Sequence, residues 1–471
     1  MDTSILLVTA RCRRLGVCFA VRSSLMAPKL SFKRVASTDR DISPPPSKRK
    51  LPATTTNSAV ANFFKPASEK TPEKITFHVL HDTLLVGRYE NASTTPRPKP
   101  VKVAAFDFDD TLIKTKSGNV FAKGADDWQW WHSSIPAKLK QLNADGYAVV
   151  VVSNQSGISL KSDKLSEKKS LSNFKGKVRA VFNILQLPIT VYAATEKDLF
   201  RKPRSGMWEQ MLKDYGLNDP ADIERDSCIF VGDAAGREGD KAAKVRKDHS
   251  CSDRDLAANV GIPFQTPEEY WLGEDPKPYV RSFDPKPYVE AKLDTHTDVD
   301  PIVFTKKHDV ELVIFCGSPG AGKSSFFWRH MEPLGYKRVN QDILKTREKC
   351  MKVATQLIED KKAVAVDNTN ADVETRSAWV GLAAKLKVPI RLVHFTANVK
   401  LCEHNDTVRA LSDGLMNPEK RVMLPRMAFT GFASRYREPK LEEGFQDITK
   451  VDFVFRGTDE EKALWSKYWI N

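Results

Sequence analysis

Cysteine is sparse and never closely spaced in this sequence, and long apolar runs are missing altogether. Seven cysteines (Cys12, Cys18, Cys228, Cys251, Cys316, Cys350 and Cys402) are scattered over 471 residues with no CxxC pair. That count is odd, points to reduced thiols, and gives neither a disulfide framework nor a zinc site any support. No stretch of about 18 apolar residues occurs, so no membrane-spanning helix is expected. Acid is nearly absent from the first 34 positions, where Asp2 stands alone against Arg11, Arg13, Arg14, Arg22, Lys29, Lys33 and Arg34. An Arg-rich, acid-poor start has the composition of a mitochondrial transit peptide. Met26 offers a second start that would remove most of it.

Residues 1–100 hold 17 Lys/Arg against 7 Asp/Glu, which is +10 of the chain's +14. The excess positive charge is therefore a property of the tail, suited to targeting or to a polyanionic partner. Residues 1–74 read as a disordered basic tail, with 35–74 rich in Ser, Thr, Pro and Lys. Lys48, Arg49 and Lys50 follow a run of prolines as nuclear import signals do, so a nuclear location is expected, with a mitochondrial one beside it. Asn57, Val60, Phe63 and Phe64 have the spacing of a box that binds the DNA sliding clamp, with Asn57 in place of the usual Gln. Two adjacent phenylalanines with no core to enter suit a partner's pocket.

From Ile75 onwards short, β-branched, nearly continuous apolar runs alternate with helical patterns, as buried parallel strands do. Two consecutive α/β domains are expected, at 75–272 and 301–471. Between them, 273–300 reads as a linker in which DPKPYV occurs at 275–280 and again at 284–289. The prolines there argue for extended chain and against helix.

Each domain carries a constellation at strand ends, the edge where α/β sheets bind ligands. In the first, AAFDFDDTL places Asp107 and Asp109 two apart after a strand. Such a pair suits phosphoryl chemistry, one carboxylate attacking phosphorus and the other moving the proton. Mg²⁺ is needed to screen an anionic nucleophile from an anionic phosphate. Thr111, Ser153 and Asn154 offer hydroxyls and an amide for phosphate oxygens. Lys202 supplies a neutralising cation, and Asp233, in IFVGDAAGR, a further metal ligand beside Asp107 and Asp109. This order resembles that of the haloacid-dehalogenase-type phosphatases, although Asp110 stands where many of them have glycine. Trp128, Trp130 and Trp131 could stack a terminal base, but core is the commoner fate of such residues. Arg201, Arg204, Arg237, Lys241, Lys244, Arg246 and Lys247 offer a cationic groove for a strand end.

In the second domain GSPGAGKSS runs from Gly317 through Ser318, Pro319, Gly320, Ala321, Gly322, Lys323 and Ser324 to Ser325. It fits the P-loop pattern without mismatch, with backbone N–H groups for nucleotide phosphates, Lys323 for the β- and γ-phosphates and Ser324 for Mg²⁺. Asp342, about twenty residues on, is placed to take a proton from an acceptor hydroxyl. Asp367 and Asn368 end a later strand. CEHNDTVRAL offers His404, Asn405 and Arg409, the arginine as a lid residue that steadies the transferring phosphoryl group.

The two modules in this order, with FDFDDTL, SNQSGI, RKPRSGMW, FVGDAAGR, TPEEYWL, GSPGAGKSS, NQD, VDNTN and LEEGFQDI, resemble the eukaryotic polynucleotide kinase 3′-phosphatases over about residues 100–460. The resemblance implies a haloacid-dehalogenase-like phosphatase followed by a P-loop kinase. It implies Mg²⁺-dependent hydrolysis of 3′-phosphates and ATP-dependent phosphorylation of 5′-hydroxyls at DNA strand breaks. Asp107 would be nucleophile, Asp109 general acid/base and Asp342 the kinase base. The chain departs from the animal members in lacking room for a forkhead-associated domain, so recruitment by phosphorylated scaffolds is not expected. Thr407 stands where the family leads one to expect an arginine. The intact P-loop implies a working kinase, and the chain is expected to act as a monomer. Two other readings stay open: an RNA end-healing enzyme, although the bacteriophage enzyme has the reverse domain order, and a clamp-binding adaptor with decayed catalytic modules.

Overall fold

Val149, Val150, Val151 and Val152 have no accessible surface. A run that is apolar on both faces belongs in a sheet covered on both sides. The computed structural model shows two such sheets and describes residues 74–90, 97–160, 165–239, 246–290 and 304–470, with the backbone alone for 165–167. The tail motifs, from the Arg-rich start through Lys48–Lys50 to Phe64, lie outside the described residues, as do Lys241 and Lys244.

The first domain opens with a hairpin of β1 (Ile75–Leu80) and β2 (Leu84–Tyr89). Then come β3 (Val103–Phe106), the two-residue pair β4 (Ile113–Lys114) and β5 (Gln129–Trp130), helix α1 (Ile135–Ala144), β6 (Ala148–Asn154) and α2 (Leu165–Leu185). It continues with β7 (Ile189–Ala194), α3 (Gly206–Asp214), β8 (Ile229–Val231), α4 (Ser252–Val260) and β9 (Phe264–Gln265). The sheet order is β1-β2-β7-β6-β3-β8-β9. Strands β7, β6, β3, β8 and β9 pair parallel, and the opening hairpin adds antiparallel through β2. One face packs on α1 and α2 through Leu139, Phe174, Val178 and Phe182. The other packs on α3 and α4 through Met207, Trp208, Met211 and Leu256. Each such side chain contributes on the order of 1.5–3 kcal/mol by leaving water. Chain direction splits at β3, whose neighbours are β6 and β8, so a crevice opens at their C-terminal ends.

The second domain repeats the principle with five strands, β10 (Leu312–Cys316), β11 (Lys337–Val339), β12 (Val364–Val366), β13 (Ile390–Phe395) and β14 (Ile448–Val451). They lie all parallel in the order β11-β12-β10-β13-β14. Its helices are α5 (Lys323–Phe326), α6 (Arg347–Glu359), α7 (Val373–Leu386), α8 (Val399–Leu411), α9 (Arg426–Arg435) and α10 (Asp459–Trp465). Here too the split falls at the strand that feeds the Gly-rich loop, β10.

The described part of the segment between the domains, residues 273–290, is pinned to its neighbours. Tyr279, in the first DPKPYV copy, forms a bridge with Arg237 and lies under the Arg254 guanidinium of the first domain. Tyr288, in the second copy, packs edge-on against Phe453 and Trp465 of the second domain. The reading against helix fails at Lys286–Glu290, which is helical. Pro287 sits in the first turn of that helix, where a missing N–H breaks no intrahelical bond.

Phe283 from the same segment covers the ring of His404, which is fully buried and bonds the Trp465 carbonyl through Nε2 at 2.8 Å. His404 is therefore core. Burial pushes its imidazole from 6.5 down to about 4. Such a group withholds no stability above pH 6.5. As the pH falls from there to 4, the unfolded chain binds a proton that the folded one refuses, so stability is lost. His404→Gln, which keeps a donor for the carbonyl, is expected to remove most of an acid loss of roughly 3 kcal/mol, read from urea midpoints between pH 7 and 4.

Candidate active sites

Strand β3 delivers Asp107 into the crevice, and the Asp107 N–H donates to the Val231 carbonyl of β8 at 2.9 Å. Lys202, 2% exposed, reaches Asp107 Oδ1 at 2.8 Å, Asp253 Oδ1 at 2.7 Å and the Val152 carbonyl at 2.8 Å. Burial alone would push this ammonium down, but Asp107 and Asp253 outweigh it and hold it above its ordinary value. Among the described residues, the carboxylates of Asp107, Asp233 and Asp253 form a group whose ligand atoms all lie within 4.8 Å of one another. Burial, then the neighbouring Asp107 and Asp253 charges, raises the Asp233 carboxyl well above its usual range. Burial brings that of Asp253 up to about 6 against the pull of Lys202. Three acids against one ammonium leave the pocket short of positive charge, and its oxygen donors are those a hard divalent cation takes.

Glycine makes this convergence possible. A Cβ on Gly232 would lie 2.2 Å from Asp253 Oδ2. Asp110 takes φ 54, a left-handed backbone that explains why glycine suits this position and that aspartate tolerates.

Asp109, expected among the metal ligands, lies outside the carboxylate group. It is about half exposed, and Lys177 Nζ and Gln155 Nε2 each hold it at 2.8 Å. Thr111, Ser153 and Asn154, expected at the substrate phosphate, also brace the loops around the site. The Thr111 hydroxyl accepts from the Asp233 N–H, fixing the metal-side loop. The buried Ser153 hydroxyl accepts from Gln155. The Asn154 side chain clasps the backbone N–H and carbonyl of Lys202 at 2.9 and 3.1 Å. Of the expected cationic groove, Arg237 is consumed internally by Asp248, Glu268 and the Asp233 carbonyl. Arg204 is buried on the Asp198 carbonyl. Trp128, Trp130 and Trp131 are half-buried against the core.

In the second domain, a cavity of about 1130 Å³ gathers Pro319 to Ser325, Asp342, Asp367, Asn368, Asn405, Arg409 and Arg421. Gly317 and Ser318 open the loop on buried backbone. Gly320 has φ 77, and a Cβ there would meet the Cys402 carbonyl at 2.3 Å, so only glycine lets the loop pass over α8. Lys323 Nζ donates to the carbonyls of Gly317 and Ser318 at 3.1 and 2.6 Å, and burial pushes it below its ordinary value. The Ser324 hydroxyl donates to Asp367 at 2.8 Å, and Arg338 Nε reaches the same carboxylate at 2.8 Å. Asn340 caps the short helical turn Gln341–Leu344 by accepting from the Asp342 and Ile343 N–H groups, which presents Asp342 76% exposed at the cavity. Arg409 is not a free lid arginine. It pairs with Asp406, and burial pushes its guanidinium down. Arg421 pairs with Glu419 through Nε at 2.6 Å and Nη2 at 2.5 Å, and from there also reaches Asp342 at 3.5 Å and Ser324 Oγ at 3.4 Å.

Residues 102–271 match the family model for polynucleotide kinase 3 phosphatase, and 312–351 and 345–439 match that of an AAA domain. The chain is 40% identical over 388 residues to the bifunctional polynucleotide phosphatase/kinase of Schizosaccharomyces pombe, an alignment spanning 82% of this chain and 86% of that one. It belongs to the bifunctional polynucleotide phosphatase/kinase family. Two further relatives match a smaller share of the chain. The polynucleotide 3′-phosphatase of Arabidopsis thaliana is 35% identical over 38% of this chain and 25% of its own. That of Saccharomyces cerevisiae is 28% identical over 37% of this chain and 88% of its own. The chain is thus an enzyme with a haloacid-dehalogenase-like phosphatase domain followed by a P-loop kinase domain.

Asp253, Lys177, Arg338 and Arg421 were missed by sequence reasoning. Asp253 starts a helix instead of ending a strand, and Lys177 lies mid-helix with no motif around it. Arg421 lies ten residues beyond α8 in polar sequence that carries no pattern. Gln155 was in view within SNQSG but carried no assigned role.

Gly232→Ala is expected to cut phosphatase turnover about 10²-fold, the cost of an ångström-scale misplacement, and to leave kinase turnover intact when both are measured on one preparation. Arg421→Ala should lower kinase kcat by about 10²-fold and Arg409→Ala by clearly less, compared in a steady-state ATP assay.

Proposed function

We propose that this enzyme prepares DNA strand breaks for ligation, hydrolysing 3′-phosphates through an aspartyl-phosphate on Asp107 and phosphorylating 5′-hydroxyls from ATP. The observation that carries the reading is Asp107 held by the buried Lys202 within a three-carboxylate pocket, in one chain with an intact P-loop. Lys202 holds Oδ1 of Asp107, which leaves the other oxygen to attack phosphorus as the bond to the 3′-oxygen breaks. Asp109, steadied by Lys177 and Gln155, gives the leaving oxygen its proton and takes one from the water that then hydrolyses the acyl-phosphate. Asp107, Asp233 and Asp253 would hold Mg²⁺, which when bound supplies the positive charge that lets these acids face a phosphate. In the kinase domain the loop N–H groups and Lys323 would hold the ATP phosphates, and Ser324 with Asp367 would hold Mg²⁺, which supplies positive charge to the phosphates. Asp342 takes the proton of the 5′-hydroxyl, and Arg421 and Arg409 face the transferring group.

The basic tail supports a polyanionic substrate. Lys48–Lys50 support nuclear import, and the Arg-rich start a second, mitochondrial location. Val60, Phe63 and Phe64 are the proposed sliding-clamp contact, and the enzyme acts as a monomer.

The test is a nicked duplex bearing a 3′-phosphate and a 5′-hydroxyl, incubated with protein, Mg²⁺ and labelled ATP. Asp107→Asn should abolish phosphate release, by at least about 10³-fold, and spare labelling. Lys323→Ala should do the converse. Strong preference for an RNA version of the duplex would sink the DNA assignment. Turnover of neither end by wild-type protein would overturn the assignment of both sites.

A further inference from the structure

The loop that carries Lys202 is clasped from two sides. Asn154 holds the Lys202 backbone from within the sheet. The second clasp comes from Asn259, near the last turn of α4, the helix whose first turn bears Asp253. Its Nδ2 donates to the carbonyl of Pro203, the residue next to Lys202, at 2.8 Å. The same amide group donates to the Tyr468 carbonyl at 2.7 Å, and its Oδ1 accepts from the Tyr468 N–H at 2.8 Å. One side-chain amide thus joins the catalytic-lysine loop, the metal-side helix and the last residues of the kinase domain. Around it the Arg281 guanidinium is paired with Asp255 at 2.7 Å and lies over the Tyr468 ring. The Tyr468 segment is seated in turn. Trp465 donates from Nε1 to Asn405 Oδ1 at 2.9 Å, and Asn405 donates to the P-loop carbonyl of Gly320 at 2.9 Å.

We propose that Asn259 is a positioning residue of the phosphatase, and that through it 3′-phosphate hydrolysis depends on the seating of the C-terminal segment Trp465–Tyr468 of the kinase domain. This rests on the assignment of Asp107 and Lys202 as the phosphatase centre. Asn259 touches neither substrate nor the reacting carboxylate. It acts on the loop that aims the Lys202 ammonium, so the effect belongs in kcat rather than in substrate affinity.

The experiment uses the full chain and a 3′-phosphorylated oligonucleotide, with kcat and KM separated and kinase turnover and the melting midpoint taken on the same preparations. Asn259→Ala is expected to lower phosphatase kcat about tenfold with KM within about twofold and kinase kcat unchanged. Asn259→Asp keeps an acceptor for the Tyr468 N–H but loses the donor to Pro203, and should lower kcat equally; it carries the comparison should the alanine variant melt early. Deleting residues 467–471 should lower phosphatase kcat to a similar degree, and adding Asn259→Ala to the deletion should cost nothing more, because the two remove one shared interaction. Wild-type kcat in both Asn259 variants, a change confined to KM, or full additivity with the deletion overturns the proposal. Wild-type protein that hydrolyses no 3′-phosphate overturns the site assignment itself, whereas wild-type turnover with indifferent variants overturns this inference alone.

Discussion

A single buried ammonium organises the phosphatase half of the molecule. Lys202 is the counter-charge that lets Asp107 and Asp253 approach each other in a place nearly free of water. An ion buried with one partner repays its desolvation poorly, whereas one with two carboxylates and a backbone carbonyl has its donors satisfied. The surroundings follow from keeping this group in place: an asparagine on each side of its loop, a glycine where Asp253 crosses, and a threonine hydroxyl on the Asp233 N–H.

The kinase domain solves the opposite problem. Its lysine faces carbonyl oxygens of its own loop, and burial disfavours its charge, so the pocket is shaped to welcome an anion. The acids at its far side are managed by arginines: Arg338 on Asp367 and Arg421 on Asp342. One domain gathers carboxylates around a cation and the other gathers cations and N–H groups around a phosphate. That contrast matches taking a phosphoryl group in one place and giving it in another.

Much of this was legible in the sequence, for a physical reason. Residues at strand ends announce themselves, because a buried strand is an uninterrupted apolar run and its first polar residue marks the ligand edge. Asp107 and Asp233 stood out in that way, and Lys323 through the glycine pattern of its loop. Glycines required by close approach were visible as motif letters, although the partner that excludes a side chain, Asp253 or the Cys402 carbonyl, was not. What escaped was set by tertiary packing. Asp253 and Lys177 come from helices whose own periodicity is satisfied without them, and Arg421 from a stretch with no pattern. Asn154 and Thr111 stood out as polar residues at the ligand edge, but the backbone groups they brace, at Lys202 and Asp233, were not visible in the sequence. His404, offered by its motif as a site residue, is sealed under Phe283, a residue from sequence that read as linker.

The duplicated hexapeptide ties the two domains together. Its two tyrosines are nine positions apart and dock on different domains, Tyr279 under Arg254 and Tyr288 against Phe453 and Trp465. A tether anchored at both ends behaves as a hinge plate with both leaves screwed down, with little slack left for one domain to swing over the other.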